Sequence, residues 1–399
     1  MNVKIKEGNL EGKIKAHPSK SYAHRYLIGC ALSKGGFVKN IEYSDDIIAT
    51  LDSLEALGFT FIRRFDSIEF LSFRKVSGIP VLNCNESGST LRFLIPTALT
   101  MYNEVKFVGT ERLVARGIEE YEKAFKKLGV KFIKDKTSIM VKGELKSSEF
   151  HLEGNISSQY ISGLLFALPL LDGDSKIIID KSIESAPYVD ITIDCIKRFG
   201  IDIALNSNEF IVKGNQTYAK YECIVEGDYS NAAFIDAFNY LGSKVEIEGL
   251  NPYSYQGDKV YLEYFKELSE GFATIDIKDS IDLGPVLFVF ASLNHGAKFI
   301  GTKRLELKES NRIKDLEVEM NKLGVTFSIK DDEVTVSKIN TKLKEVEFDS
   351  HNDHRVLMSL SLYSSIMNIK IANSECVKKS NPNFFIDLLK LKKGVEFYE

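Results

Sequence analysis

The chain has 399 residues, with 52 Lys plus Arg against 56 Asp plus Glu, a formal charge of −4. That balance argues against broad nucleic-acid binding, which carries a basic excess, but leaves room for small anions held by a few placed cations. At 44% hydrophobic and 27% charged residues the composition is that of a soluble globular protein, and the length exceeds what one core usually serves, so two domains are expected.

Taken in chain order, the N-terminal run Met1 to Glu7 has no apolar h-region, so no secretory leader is expected. The first polar segment ahead of a helix is Pro18-Ser19-Lys20-Ser21-Tyr22-Ala23-His24-Arg25, and that helix closes at Gly35-Gly36. Ser21 suits an N-cap, and Arg25, four residues on, shares its face. The second such segment is Ser87-Gly88-Ser89-Thr90-Leu91-Arg92, where Gly88 permits close backbone approach. The third, Asn155-Ile156-Ser157-Ser158-Gln159, precedes an apolar run from Ile161 to Leu171 that is too short to span a bilayer. The second half supplies Lys308-Glu309-Ser310-Asn311-Arg312, Asp353-His354-Arg355 and Lys379-Ser380-Asn381-Pro382, with Pro382 suited to a first helical position.

A second series marks the other end of the helices. An apolar helix end, a Gly and an alternating strand recur at Gly58, Gly129, Gly200, Gly271, Gly324 and Gly394, at intervals of 71, 71, 71, 53 and 70. The helix Ile118 to Leu128 carries apolar Ile118, Tyr121, Phe125 and Leu128, and Gly129 after it suits a left-handed cap. A period near 70 exceeds that of a solenoid and predicts a small α/β subdomain used six times, three per domain, with Gly271-Phe272-Ala273 as a degraded copy. The boundary is expected near Val225-Glu226-Gly227-Asp228.

Helix N-termini present unpaired N–H donors and the positive dipole end, so repeated starts bearing Lys or Arg predict an anion-binding cleft. Glu309 lies between Lys308 and Arg312, where it is held ionised. Asp282, at the head of an apolar run, reads equally as an N-cap or a general base. The five cysteines (Cys30, Cys84, Cys195, Cys223 and Cys376) form no C-x-x-C pair, and His351 and His354 have no third ligand, so no zinc site is signalled. Phosphate-loop, dinucleotide and nucleophile-elbow patterns are absent. Tyr253, Tyr255, Tyr261, Tyr264 and Phe265 read as core at helical spacing. A reducing compartment, the cytoplasm, is expected.

The ordered set resembles the 5-enolpyruvylshikimate-3-phosphate synthase family of enolpyruvyl transferases over essentially the whole chain. It comprises Lys20-Ser21-x-x-x-Arg25, Gly88-Ser89-x-x-Arg92, Ser157-Ser158-Gln159 and Ser185-x-Pro187-Tyr188, then Gln256-Gly257-Asp258, Asp282, Lys308-Glu309-x-x-Arg312, Asp353-His354-Arg355 and Lys379-Ser380. The resemblance implies an α/β (α+β) fold of two similar domains. Each holds three βαβαββ units packed as an inside-out α/β barrel, with a cleft between the domains that closes on substrate. Residues 1–13 would join 227–399 in one domain carrying Asp282, Glu309, Arg312, Arg355 and Lys379. Residues 14–226 would form the other, with most of the shikimate 3-phosphate site.

By the same resemblance, shikimate 3-phosphate would meet Lys20, Ser21, Arg25, Ser157, Ser158, Gln159, Ser185, Tyr188, Asp282 and Lys308. Phosphoenolpyruvate would meet Lys20, Gly88, Arg92, Arg116, Gln159, Arg312, Arg355 and Lys379. Asp282, Glu309 and Lys20 would share the acid–base chemistry of an addition–elimination transfer in chorismate and aromatic amino acid biosynthesis. No metal or organic cofactor is implied. The partners would be small-molecule substrates, without nucleic acid or membrane, and the chain a monomer. The sequence departs from the commoner family pattern at Gly117 for Pro, Asn311 for Asp and Asn373 for Asp, and Glu86 stands where some members have Asn. Of the rivals, a transferase acting on UDP-N-acetylglucosamine commonly has a loop cysteine, and residues 103–118 contain none. A non-catalytic anion- or RNA-binding repeat protein is disfavoured by Asp282 and Glu309, since carboxylates cost affinity for a polyanion.

Overall fold

The computed structural model describes residues 1–341 and 345–399. The chain divides into two compact units, Pro18–Glu226 and the discontinuous pair Met1–His17 with Gly227–Glu399.

The Pro18–Glu226 unit repeats one pattern three times. In its third copy the strand Glu149–Glu153 leads to the helix Ser158–Ala167, the strand Ser175–Asp180, the helix Ala186–Arg198 and the hairpin Ile203–Asn206 with Glu209–Val212. The first two strands pair in parallel, and the hairpin adds antiparallel, giving four strands in the order first, second, fourth, third. The second copy runs from Val81–Asn85 to Ser138–Lys142 with the same order. The first copy takes its opening strand from the far end of the unit, where Glu222–Ile224 pairs in parallel with Gly36–Lys39. Strand burial alternates, as in Glu149–Glu153 and Ser175–Asp180, so each sheet turns one face to the core.

The first helix of each copy is the buried one. Lys20–Leu32 buries every residue from Tyr22 on, and Gly88–Leu99 and Ser158–Ala167 are buried on nearly all faces. A helix that is apolar all round belongs in a core. Here the residues that start these helices are carried inward with them.

In the other unit, Ala273–Asp276, Ala297–Ile300, Phe327–Lys330 and Glu333–Val336 form one four-stranded sheet. Glu345–Asp349, Asn368–Ala372 and Val395–Tyr398 form another, with the N-terminal strand Asn2–Ile5 inserted as its third member. The remaining sheet has two strands, Glu11–Lys15 and Lys244–Glu248, paired in parallel. The buried first helices are Tyr229–Tyr240, Gly284–Leu293 and His354–Leu360.

The irregular interval of 53 has a direct cause. From Gly129 to the next opening strand at Glu149 is 20 residues, whereas from Gly271 to Ala273 is 2, so an 18-residue hairpin is missing. Gly271-Phe272-Ala273 is therefore no worn copy of the glycine–strand phrase. It joins the helix Tyr261–Glu270 straight to the opening strand of the following copy. Gly129, Gly200 and Gly324 adopt φ of +72°, +79° and +72°, while Gly271 at 173° is simply extended.

Residues 14–17, expected in the other unit, lie in the discontinuous one. Glu11–Lys15 is a paired strand, the Ala16 N–H donates to Glu248 O at 2.8 Å, and the Asp228 N–H donates to His17 O at 2.7 Å. The aromatic group also separates. Tyr261 and Phe265 are core, but Tyr253 on the preceding loop is 89% exposed.

Candidate active site

In the Pro18–Glu226 unit, three serines head the three buried helices. Ser19, Ser87 and Ser157 are the N-caps; Ser87 Oγ accepts the Thr90 N–H and Ser157 Oγ the Gln159 N–H. Ser21 therefore lies inside the first turn, one residue beyond Lys20, because the helix starts earlier than the sequence suggested. Neutral caps leave the positive dipole ends uncompensated, which favours an anion there.

Arg25 ties the first helix to the third copy. Its Nε donates to Thr192 Oγ1 at 2.7 Å and its terminal nitrogens to Ser21 O at 2.7 Å and Tyr188 O at 2.8 Å, with Phe93 stacked beneath. These partners are neutral, and burial pulls the guanidinium down to about 10. Ser185, just before Tyr188, is buried and left-handed at φ +59°. Lys20 pairs with Asp46 at 2.8 Å.

A second group gathers at Gly88. Arg92 donates to Gln159 Oε1 at 2.7 Å and to the carbonyls of Arg116 and Gly117, both at 3.2 Å, and lies over the Tyr160 ring. Gln159 Nε2 in turn donates to Ser89 Oγ at 3.0 Å. A Cβ on Gly88 would stand 3.2 Å from both Arg92 and Arg116 terminal nitrogens and 3.3 Å from Gln159 Oε1. Gly88 thus leaves a backbone floor open against two guanidinium groups. Arg92 Nε is buried without a hydrogen-bond partner. Arg112, four residues before Arg116, is exposed. Gly117 has φ +77°, outside what proline can adopt, so the departure at this position is a change of backbone as well as of side chain.

In the other unit, aspartates cap two of the three buried first helices. Asp228 and Asp353 cap the helices Tyr229–Tyr240 and His354–Leu360, and Asp282 stands two residues before Gly284–Leu293. Asp282 is not the cap, since it lies within the single turn Ile281–Leu283. Its Oδ1 meets Lys308 at 3.1 Å and Arg312 at 3.2 Å, and its Oδ2 meets Arg355 at 3.3 Å. Burial alone would raise its pKa, but Arg355, Lys308 and Arg312 outweigh it and hold the carboxyl well below the usual range. Burial likewise pulls the Lys308 ammonium down, although Asp282 opposes this.

Arg312 is 1% exposed and meets three carboxylates: Asp353 through Nε at 2.8 Å, Glu309 at 2.7 Å and Asp282 at 3.2 Å. Lys379 lies 3.9 Å from Glu309. Lys379 ends the short turn Ser374–Lys379, and Pro382 precedes the cap Asn383, so this cation is not at a helix start. Asn311 caps the Arg312–Asn321 helix by accepting the Lys314 N–H, doing an aspartate's work without adding a fourth carboxylate.

Three groups here carried no role in the sequence reading. Asp46 faces Lys20, Asp353 holds Arg312, and Asp258 is pushed up to about 6 by burial and by Asp282. Asp353 was visible beside His354 and Arg355. The pairing of Asp46 with a residue 26 positions away was not. Among the described residues no group of His, Cys, Asp or Glu could hold a metal ion.

Fold and charge placement together define an α/β protein of two threefold-repeated units that gathers buried cations at helix starts. The family model for EPSP synthase (3-phosphoshikimate 1-carboxyvinyltransferase) matches residues 5–388. The 3-phosphoshikimate 1-carboxyvinyltransferase of Clostridium beijerinckii is 39% identical, covering 98% of this chain and 97% of its own. That of Clostridium perfringens strain SM101 is 40% identical over 98% of each chain. The fold is similar to that of EPSP synthase from Acinetobacter baumannii, with a TM-score of 0.80 at 20% identity, covering 99% of this chain and 100% of that one. The chain belongs to the EPSP synthase family.

Proposed function

We infer that this chain transfers the enolpyruvyl group of phosphoenolpyruvate to the 5-hydroxyl of shikimate 3-phosphate, releasing phosphate. The hydroxyl oxygen attacks C2 while C3 takes a proton; the tetrahedral adduct then loses phosphate and a C3 proton, restoring the double bond. Both substrates bring a phosphate and a carboxylate, which guanidinium groups match with paired hydrogen bonds.

In this reading Ser21, Arg25, Ser157, Ser158, Gln159, Ser185 and Tyr188 receive shikimate 3-phosphate, with Lys20, Asp282 and Lys308. Gly88, Arg92, Arg116 and Gln159, with Lys20, Arg312, Arg355 and Lys379, receive phosphoenolpyruvate. Asp282 takes the hydroxyl proton, and Glu309 and Lys20 handle the C3 proton and the leaving phosphate. The observation that carries the assignment is Asp282 set among Lys308, Arg312 and Arg355. A purely anion-binding surface gains nothing from an ionised carboxylate there. The chain acts on small molecules as a cytoplasmic monomer without nucleic acid, in keeping with its charge of −4. No helix is long and apolar enough to cross a membrane among the described residues.

Phosphate release tests the reaction. Incubation with both substrates should release phosphate, and either alone should not. Release with a UDP-amino sugar in place of shikimate 3-phosphate would overturn the reading.

A further inference from the structure

We propose that His351 is a positioning residue for this reaction, setting Arg312 and Arg355 through the turn that carries Asp353. The inference rests on the assignment above of both arginines to phosphoenolpyruvate.

His351 lies in the turn between the strand Glu345–Asp349 and the helix His354–Leu360. His351 and Asn352 are both left-handed, at φ +50° and +57°. Residues with a Cβ hold two such conformations in succession only when their surroundings fix them. Three backbone contacts do so locally. The His351 N–H donates to Asp349 Oδ1 at 2.7 Å, the Asn352 N–H to Ser350 Oγ at 3.2 Å and the Asp353 N–H to Ser350 O at 2.9 Å.

The imidazole makes the long-range attachment. Its Nε2 lies 3.0 Å from Glu319 Oε1 and its Nδ1 3.7 Å from Asp315 Oδ1. Asp315 and Glu319 are four apart, on one face of the helix Arg312–Asn321. Glu319 is 2% exposed, and its other oxygen accepts the Asp349 N–H at 2.8 Å and meets Lys322 at 2.7 Å. At the far end of the same turn, Asp353 grips Arg312, the first residue of that same helix, and accepts the Arg355 N–H at 2.8 Å.

One turn is therefore fastened to one helix at two places, at Arg312 and two turns further along. Without the imidazole, the far place keeps only the bond from the Asp349 N–H to Glu319, at the strand end of the turn, and the turn can pivot further about the Asp353–Arg312 pair, carrying Arg355 with it. The second fastening removes that freedom. Its loss should act on whatever Arg312 and Arg355 hold and act far less on shikimate 3-phosphate, which the assignment above gives mainly to residues of Pro18–Glu226.

The experiment is steady-state kinetics of His351→Ala with each substrate varied separately, beside Arg355→Lys and Arg312→Lys. His351→Ala should raise KM for phosphoenolpyruvate about 10-fold, as a small misplacement of binding groups does. KM for shikimate 3-phosphate should stay within about twofold, and His351→Gln, which keeps a donor for Glu319, should recover most of the loss. An unchanged phosphoenolpyruvate KM in His351→Ala, or equal changes in both KM values, overturns the proposal. If His351→Ala does not fold, Asp315→Asn is read the same way: a selective rise in the phosphoenolpyruvate KM supports the proposal and none overturns it. If the two arginine variants leave that KM unchanged, the site assignment fails and takes the proposal with it. If they raise it and His351→Ala does not, the proposal alone fails.

Discussion

Arg312 and Asp353 meet in a buried two-point contact, Nε to Oδ2 at 2.8 Å and a terminal nitrogen to Oδ1 at 3.3 Å. Glu309 shares the terminal nitrogen on that edge of the guanidinium, and Asp282 takes the other terminal nitrogen. In the proposed assignment, phosphoenolpyruvate at Arg312 competes with Asp282 and Glu309 for its terminal nitrogens. Asp353→Asn should keep the helix cap but leave Arg312 short of its fixed counter-charge. Urea denaturation should show a loss of about 3 to 5 kcal/mol, the cost of breaking a buried ion pair.

Asp282→Asn should lower kcat by about 10²- to 10⁴-fold, the range for loss of a general base. Calorimetric titration with shikimate 3-phosphate should show binding retained within about an order of magnitude, since Lys308 remains in place. A variant with near-normal turnover would remove Asp282 from the chemistry.

Gly88→Ala should raise KM for phosphoenolpyruvate with little change in kcat, because the added methyl meets Arg92, Arg116 and Gln159 at 3.2 to 3.3 Å. Gly117→Pro is the harsher change. A φ of +77° is closed to proline, and the Gly117 carbonyl that accepts from Arg92 and Tyr160 would be displaced. Saturation curves for both variants, with a melting temperature for the second, separate the local from the global effect.

His24 is buried, bonded through Nδ1 to Thr50 Oγ1 at 2.8 Å, and burial holds its pKa down to about 3. The unfolded chain takes up a proton near pH 6.5 that the folded chain refuses. The stability contributed is complete above pH 6.5 and declines as pH falls toward 3. By pH 5 the decline should reach about 2 kcal/mol. Denaturation midpoints for wild type and His24→Asn between pH 7 and pH 5 should converge as the acid-side slope disappears from the variant.

Asn373, where the family commonly has Asp, donates its Nδ2 hydrogen to Asp349 Oδ1 at 3.0 Å. Asn373→Asp replaces that bond with a contact between like charges. Thermal melting at neutral pH should show a loss of about 2 kcal/mol, recovered on acidification as one of the two carboxyls protonates.

The helices and their glycine ends were legible in the sequence because periodicity and capping are local. Gly129, Gly200 and Gly324 carry the left-handed conformation their positions imply. What a strand pairs with is not local. Nothing in Asn2–Ile5 indicates that it lies between Asn368–Ala372 and Val395–Tyr398. At the site, the cations were legible as residue types at helix starts. Their partners were not, because Asp46 and Asp353 reach Lys20 and Arg312 only through the fold. Lys379 misled because a short turn leaves no periodic trace, and Pro382 imitates a helix start that comes later.

The hairpin absent after Gly271 leaves the outer edge of the strand Lys244–Glu248 without a neighbour strand among the described residues. Asn239 occupies part of that edge, exchanging hydrogen bonds with the Val245 N–H at 2.7 Å and the Val245 carbonyl at 2.9 Å. Beside Gly271 no atom lies within 4 Å of where a Cβ would stand, and Phe272 is 61% exposed. The joint between Gly271 and Phe272 is thus a natural port for protein engineering. A reporter peptide or binding tag spliced in there would enter where the architecture already has a slot to spare.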